Sequence, residues 1–463
     1  MPKLMRCPFC GHLQDEPAGV KECGRCGGGL EYETKPPAGK ASYLQVQMEL
    51  DQVAAPARQN VERHILVTLR TPKEVPAEEL PAAKKRPPIS FTAVLDVSGS
   101  MQGEKISQAR DAVRQAVRYL RNGDVFSLVT FNNDVACPFE PTLFGDKTRK
   151  EVEAVLDHIH AGGMTALDGG LVMGIEKALV HPQETNLVML LSDGQTNVGE
   201  KDLEVIGGRA LQARQKGILV SALGIGLDYN EVLLTEIASQ GGGRFYHLEN
   251  AAQIPAYVAG ELNEVAALAA REVKIQLQLP AGATLVPLSA AFPVRQEGEQ
   301  ALVLVGDMPC ETELMIPLRL ALLGQAPGAS LSMEGTVTFR SPVGHEHEVP
   351  LNRVTVRFLE PGKFTLQEGV AAPVVERVLV QMRASNVLGL TRAWELQPEE
   401  AEQQTKASVD ALRAYASLLG RERGEQEARQ VAERFSNMRS DRQYSKNVQA
   451  ASYFAVRGGK KHD

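Results

Sequence analysis

Between residues 89 and 268 short, dense apolar runs alternate with stretches of helical period, and no other feature narrows the fold so far. The runs at 89–95, 125–131, 187–191 and 218–225 are rich in Val, Ile, Leu and Phe, the signature of strands covered on both faces. Between the first two, Ile106, Ala109, Val113, Ala116, Val117 and Leu120 recur at helical spacing, ending near Asn122 and Gly123. The same spacing predicts helices over 152–159, 168–179, 203–215, 231–239 and about 253–269. A short edge strand is expected at 135–139 and a further strand at 244–248. This alternation predicts an α/β domain with a parallel, doubly wound (Rossmann-like) sheet carrying helices on both faces.

On either side the period drops to two. Leu44, Val46, Met48 and Leu50 are apolar, with Gln45, Gln47, Glu49 and Asp51 between them, and 64–70 is the expected hairpin partner. After Arg271 the alternation returns at Val273, Ile275, Leu277 and Leu279, with more strand-like runs at 301–305, 313–322, 330–340 and 353–358. The simplest arrangement joins these strands into one β-sandwich interrupted by the α/β domain. Residues 370–455 then read as helices. A chain of 463 residues is too long for one core. The expected segments are 1–35, the first sandwich strands and linker at 42–88, the α/β domain at 89–269, the rest of the sandwich at 271–360 and a helical region at 370–457.

Cysteine usage marks the first segment. Four of the six cysteines fall in the first 26 residues, as Cys7 and Cys10, then Cys23 and Cys26, with twelve residues between the pairs. Two CxxC knuckles at that spacing suit a tetrahedral zinc site, and the segment resembles a zinc ribbon. Some 35 residues with few large apolar side chains need such help. Bound Zn²⁺ supplies on the order of 10 kcal/mol of folding free energy. His12 beside a complete set of thiolates reads as a loop histidine. Cys137 and Cys310 stand alone and read as small buried apolar residues.

Three strand ends carry polar residues. The first α/β strand runs into Asp96-Val97-Ser98-Gly99-Ser100, a loop reads Gly162-Gly163-Met164-Thr165, and the run at 187–191 ends in Ser192-Asp193-Gly194. In a doubly wound sheet, ligands bind outside the carboxyl ends of the strands where strand order reverses. Two carboxylates and three hydroxyls there are hard oxygen donors, suited to Mg²⁺ or Mn²⁺ and not to zinc. With only two carboxylates, such a cation stays electrophilic towards an acidic group from another molecule. A metal phosphatase would want a second carboxylate two residues after Asp96, and Ser98 stands there. His158 and His160, the nearest candidate bases, read as helix-end residues.

The DxSxS run, the Gly-Gly-x-Thr loop and the strand ending in Ser-Asp-Gly together resemble the metal-ion-dependent adhesion site of von Willebrand factor type A (VWA) domains, over roughly residues 89–268. The resemblance implies that Ser98, Ser100 and Thr165 reach the metal through their hydroxyls and that Asp96 and Asp193 act mainly through coordinated water. Asp168 and Asn197 fall nearby without a ligand role. The flanks are similar to bacterial calcium-activated chloride channel homologues and, distantly, to the hybrid-domain arrangement of integrin β chains. Channel activity is not expected, because no apolar run approaches the roughly 18 residues of a membrane span.

The implied function is non-enzymatic. A protein partner would offer a Glu or Asp to the bound metal. An alternative is an adaptor that recruits substrates to an AAA+ ATPase, and a metal-dependent phosphoryl-transfer or hydrolytic enzyme is the weakest reading. No GxxxxGK[ST] motif is present, so the chain is not itself the motor. A net charge of -7, and no aromatic pattern beside the basic end at Arg457, Lys460 and Lys461, argue against nucleic acid. The opening residues lack an apolar leader core, and with clustered thiols this predicts a cytoplasmic protein; the resemblance of the flanks implies a bacterial one.

Overall fold

The computed structural model describes residues 3–6, 13–16, 43–79, 88–193, 196, 198–248, 252, 254, 257–258, 260–262, 268–289 and 291–457. The cysteines at 7, 10, 23 and 26, with His12, Gly194 and Asn197, lie outside them, so the expected zinc ligands are not described. Strands β1 (Lys3–Arg6) and β2 (Leu13–Glu16) pair antiparallel, Lys3 opposite Glu16 and Arg6 opposite Leu13. Two compact units divide the chain. One takes in residues 1–79, 269–438 and 454–459, the other 80–268, 439–453 and 460–463.

In the first unit, β3 (Gln45–Leu50), the short β4 (Ala54–Pro56) and β5 (Val61–Arg70) precede the α/β segment. β3 and β5 pair antiparallel with Val46 opposite Leu69, as the alternation around Met48 requires.

The second unit begins with β6 (Ile89–Asp96), α1 (Glu104–Tyr119), β7 (Val125–Phe131) and β8 (Val135–Leu143). It continues through α2 (Asp146–Asp157), α3 (Leu167–Ala178), β9 (Thr185–Ser192), α4 (Leu203–Gln215), β10 (Ile218–Ile225), α5 (Glu231–Gln240) and β11 (Gly242–Leu248). The six strands lie in the order β11-β10-β9-β6-β7-β8. All neighbours are parallel except β7 and the edge strand β8. Every residue of β6, β7 and β9 is buried, which accounts for their dense apolar composition. Each fully buried Val, Leu or Met there contributes about 1.5–3 kcal/mol. Right-handed crossovers carry the chain from β6 through α1 to β7 in one direction and from β9 through α4 to β10 in the other. They therefore place α1 and α4 on opposite faces.

Local signals end the helices where the sequence says they should. Asp202 caps α4 by accepting from the N–H groups of Glu204 and Val205 at 2.8 and 3.1 Å, and Asn230 caps α5 through Leu233 at 2.9 Å. Gly170 lets α3 approach β7. A Cβ there would lie 2.5 Å from Phe131. Of the expected helix over 253–269, the described residues 254, 257–258 and 260–262 are helical, but Leu268 and Ala269 already belong to a strand. Buried Glu261 holds the helix. It accepts from Ser221 Oγ at 2.6 Å and from the Tyr246 hydroxyl.

The first unit resumes with β12 (Leu268–Gln278), β13 (Thr284–Pro287), β14 (Val294–Glu297), β15 (Gln300–Pro309), β16 (Glu313–Leu322), β17 (Ser330–Arg340) and β18 (Glu346–Leu359). They form a six-stranded sheet, β14-β15-β12-β17-β18-β4, and a four-stranded one, β13-β16-β5-β3. β5 pairs with β16 along its whole length, Val67 opposite Ile316, across the intervening α/β segment. One apolar cluster draws Met48, Ile65 and Ile316 from the smaller sheet and Ile275, Val337 and Phe358 from the larger. β4, β13 and β14 have no counterpart in the sequence reading, because three or four residues carry too little periodicity.

Four helices follow: α6 (Ala372–Leu396), α7 (Pro398–Ala416), α8 (Arg421–Ser440) and α9 (Arg442–Arg457). Most of α9 packs within the α/β unit. Lys446 is fully buried, donates to Tyr229 O at 3.0 Å and to Glu231 Oε2 at 2.6 Å, and lies 3.7 Å from the centre of the Tyr229 ring. Burial holds its ammonium below the usual lysine range against the opposing pull of Glu231. Tyr453 donates to Gly243 O at 2.8 Å. No described helix is long and apolar enough to cross a membrane.

Candidate metal centre

The chain order of the α/β sheet reverses at β6. From there the chain moves out through β7 to β8 and returns to β9 on the other side. Asp96 is the last residue of β6 and Asp193 the first after β9, so the two carboxylates arise at the carboxyl ends of adjacent strands at this switch point. Both residues have no exposed surface.

The Asp96 carboxylate is held on both oxygens. Oδ1 accepts from the Ser98 N–H at 2.9 Å and Oδ2 from Ser192 Oγ at 2.6 Å. Burial pushes this carboxyl above its usual range. The hydrogen bonds from Ser192 and Ser98 work against that shift, and the nearby Asp193 charge adds to it.

Ser98 is extended, at φ -67° and ψ 170°, and a single 3-10 turn over Gly99–Met101 brings the Ser100 hydroxyl back beside it. The two hydroxyl oxygens are 3.0 Å apart, and Ser100 Oγ donates to Asp193 Oδ1 at 2.8 Å. The other oxygen of Asp193 accepts from the Lys105 ammonium. Ser98 and Thr165 are buried, Ser100 is exposed, and Met164 beside them is 47% exposed. The cluster therefore opens to solvent on the Ser100 side.

The Gly162–Thr165 loop is laced to the first loop through the backbone. Gly99 N–H donates to Gly163 O at 2.9 Å, and Gly162 N–H to Val97 O at 2.8 Å. Two residues just past β7 hold it from the other side. Asn132 Nδ2 donates to Gly162 O, and Asn133 Oδ1 accepts from Met164 N–H, each at 2.8 Å. Gly163 sits at φ +89°, and a Cβ there would fall 2.3 Å from Asn133 Oδ1, so only glycine fits without rearrangement. The third segment joins through Val198 N–H, which donates to Thr165 O at 3.2 Å.

Sequence reasoning missed four residues of this cluster. Ser192 was visible as part of Ser-Asp-Gly, but its hydrogen bond to Asp96 was not. Asn132 and Asn133 form a paired-Asn turn after a strand, an ordinary loop signal. Lys105 sits in the first turn of α1, where a cation opposes the helix dipole. Asp168 pairs with Arg209 Nη1 at 2.8 Å, and its Oδ1 has no hydrogen-bond partner among the described residues. Burial lifts the Asp168 carboxyl, Arg209 opposing. His158 is exposed at the end of α2, with Nδ1 2.8 Å from Ala154 O, and His160 is exposed as well. Cys137 and Cys310 are half-buried, not enclosed as expected, and burial raises the Cys137 thiol to about 11.

The donor set fits a small hard cation. Two buried carboxylates and the Ser98 and Ser100 hydroxyls meet at one opening, and among the described residues only Lys105 brings positive charge to either carboxylate. Among the described residues no group of three or more His, Cys, Asp or Glu side chains is arranged to hold a metal, so a thiolate or imidazole centre is not what this site offers.

A doubly wound sheet with oxygen donors gathered at its switch point defines a class of domain, and comparison with known proteins gives it a name. Residues 92–259 match the family model of the von Willebrand factor type A domain, so the chain contains a VWA domain, of a class that typically mediates protein–protein interaction. It is 28% identical to the uncharacterized protein YfbK of Escherichia coli over 246 residues, 52% of this chain and 41% of that one. It is 30% identical to inter-alpha-trypsin inhibitor heavy chain H2 of Mus musculus over 164 residues, 34% of this chain and 17% of the other. The chain thus spans less than half the length of these relatives. Among solved structures, a von Willebrand factor type A protein from Catenulispora acidiphila superposes with a TM-score of 0.62 at 15% identity, over 91% of this chain and 98% of that one. The ArnB paralog VWA2 of Sulfolobus acidocaldarius gives 0.56 at 16% identity, over 90% and 99%. Both share the fold.

Proposed function

We propose that this chain is a non-enzymatic interaction protein that binds an acidic residue of a protein partner through Mg²⁺, or Mn²⁺, held by Asp96, Ser98, Ser100, Thr165 and Asp193. The observation that carries this reading is the meeting of Ser98 and Ser100 hydroxyls with the buried Asp193 carboxylate at a solvent-facing opening. When bound, the cation supplies a Lewis-acidic position for a carboxylate oxygen. The chain does the rest. Ser192 and the Ser98 N–H orient Asp96, and the Gly163 turn positions the loop that carries Thr165. His158 bonds the Ala154 carbonyl and, like His160, is exposed, so neither histidine supports a hydrolytic reading.

The two sheets of the first unit read as a β-sandwich into which the VWA domain is inserted, supported by the pairing of β5 with β16. The last helix of the domain is anchored by Glu261, and the chain enters β12 at Leu268. The four N-terminal cysteines read as a Zn²⁺ ribbon, supported by the β1–β2 hairpin whose strands bracket Cys7 and Cys10. A cytoplasmic location goes with that ribbon.

Titration calorimetry with Mg²⁺ and Mn²⁺ tests the metal, and capture from lysate tests the partner, each with wild type and Asp96→Ala. Binding and capture that both vanish in Asp96→Ala support the reading. Identical capture by both proteins would move the interaction elsewhere on the chain. A captured AAA+ ATPase whose turnover responds to this protein would make it an adaptor.

A further inference from the structure

Lys105 is out of place by local rules. It lies in the first turn of α1, where the unsatisfied N–H groups make the helix end positive and a cation costs stability. Its side chain instead runs past Gly226, in the loop after β10, to place Nζ on Asp193 Oδ2. Asp193 is wholly buried, while the lysine remains partly exposed. Among the described residues no second cation reaches either carboxylate of the cluster. The ammonium thus holds the position a divalent ion would need in order to use Asp193 fully.

We propose that Lys105 is a built-in competitor for the metal: it neutralises Asp193 when no ion is bound and must give up that contact when one binds. This rests on the metal-binding reading above and specifies how that site is regulated. Without the lysine, two carboxylates on adjacent strand ends would face each other with only hydroxyls and a peptide N–H to soften their repulsion. With it, the metal-free domain is stable, and part of the metal's electrostatic gain is spent in displacing an existing charge. The lysine therefore raises the metal concentration at which the site loads. Because the ammonium is tethered to α1, it can return to Asp193 as the ion leaves.

The test is Lys105→Met, which keeps the length and removes the charge, with Lys105→Gln as a second variant in case the apolar side chain folds poorly. Titration calorimetry with Mg²⁺ and Mn²⁺ reads affinity, and thermal unfolding reads stability with and without metal. Both variants are expected to bind metal about tenfold more tightly than wild type or better. Their metal-free form should melt lower, and saturating Mg²⁺ should raise their Tm by more than it raises wild type's. Affinity that is unchanged or weaker in folded variants overturns the proposal while leaving metal binding intact. Wild type and both variants all failing to bind would overturn the metal reading as well. Binding by the variants alone would be the strongest support.

Discussion

Buried carboxylates in two regions of this protein are neutralised differently. In the helical region Glu427 is fully enclosed. It accepts from Arg383 Nε and Nη2 at 2.5 and 3.0 Å and from Arg423 Nη1 at 2.7 Å. Burial would raise its carboxyl, but the bonds and charges of Arg383 and Arg423 win, and it stays below the usual range. At the ends of β6 and β9, Asp96 and Asp193 have hydroxyls, one peptide N–H and the Lys105 ammonium. Two guanidiniums complete Glu427 and make it structural. The strand-end pair has one ammonium between two carboxylates, and the proposed metal site rests on that difference.

Breaking the first set should cost stability alone. Glu427→Ala leaves two guanidiniums crowded without their acceptor and is expected to lower the stability of the folded chain by about 3 kcal/mol, read from urea unfolding. Its Mg²⁺ affinity should equal wild type's. A loss of metal binding in that variant would erase the distinction between the regions. The pH dependence follows from the same pair. The native state binds this proton more weakly than the unfolded chain does. Its stabilisation is therefore complete above the ordinary carboxylate range and is lost as pH falls through the depressed value. The variant's urea midpoint should accordingly fall less than wild type's as pH is lowered from about 5 to 3.

At the strand ends, the effects should divide between stability and metal. Gly163→Ala puts a side chain at positive φ and against Asn133, and is expected to cost about 2 kcal/mol. By tilting the Thr165 loop it should also weaken Mg²⁺ binding. A variant as stable as wild type would mean the turn relaxes freely. Ser192→Ala is the gentlest change. It removes one buried hydrogen bond to Asp96 and should weaken Mg²⁺ binding about tenfold while costing about 1 kcal/mol of stability. Unchanged affinity there would show that Asp96 needs only its contact with the Ser98 N–H.

Much of the α/β fold was legible because its signals are local. Runs such as 187–191, short and bounded by turn residues, suit strands buried on both faces, and α4 and the strand at 125–131 keep the bounds read from periodicity. The edge strand after Val135 is longer than its apolar residues suggested, since alternation fades where one face is wet. The helix expected to reach 269 overran into β12 because Ala and Leu suit either element.

Local chain order suffices to say which oxygen-bearing residues stand at the carboxyl ends of strands, since a buried run followed by Asp, Ser and Gly marks both the strand and its turn. Only the tertiary structure decided that Lys105 reaches Asp193, that Asn132 and Asn133 clamp the Gly162–Thr165 loop, that β5 finds β16, and that Lys446 is buried against Tyr229. Each of these joins segments dozens to hundreds of residues apart. Periodicity, which is a property of neighbours along the chain, holds no record of such contacts. They form because the packed core brings charges and hydrogen-bonding groups into places where, once away from water, they must find one another.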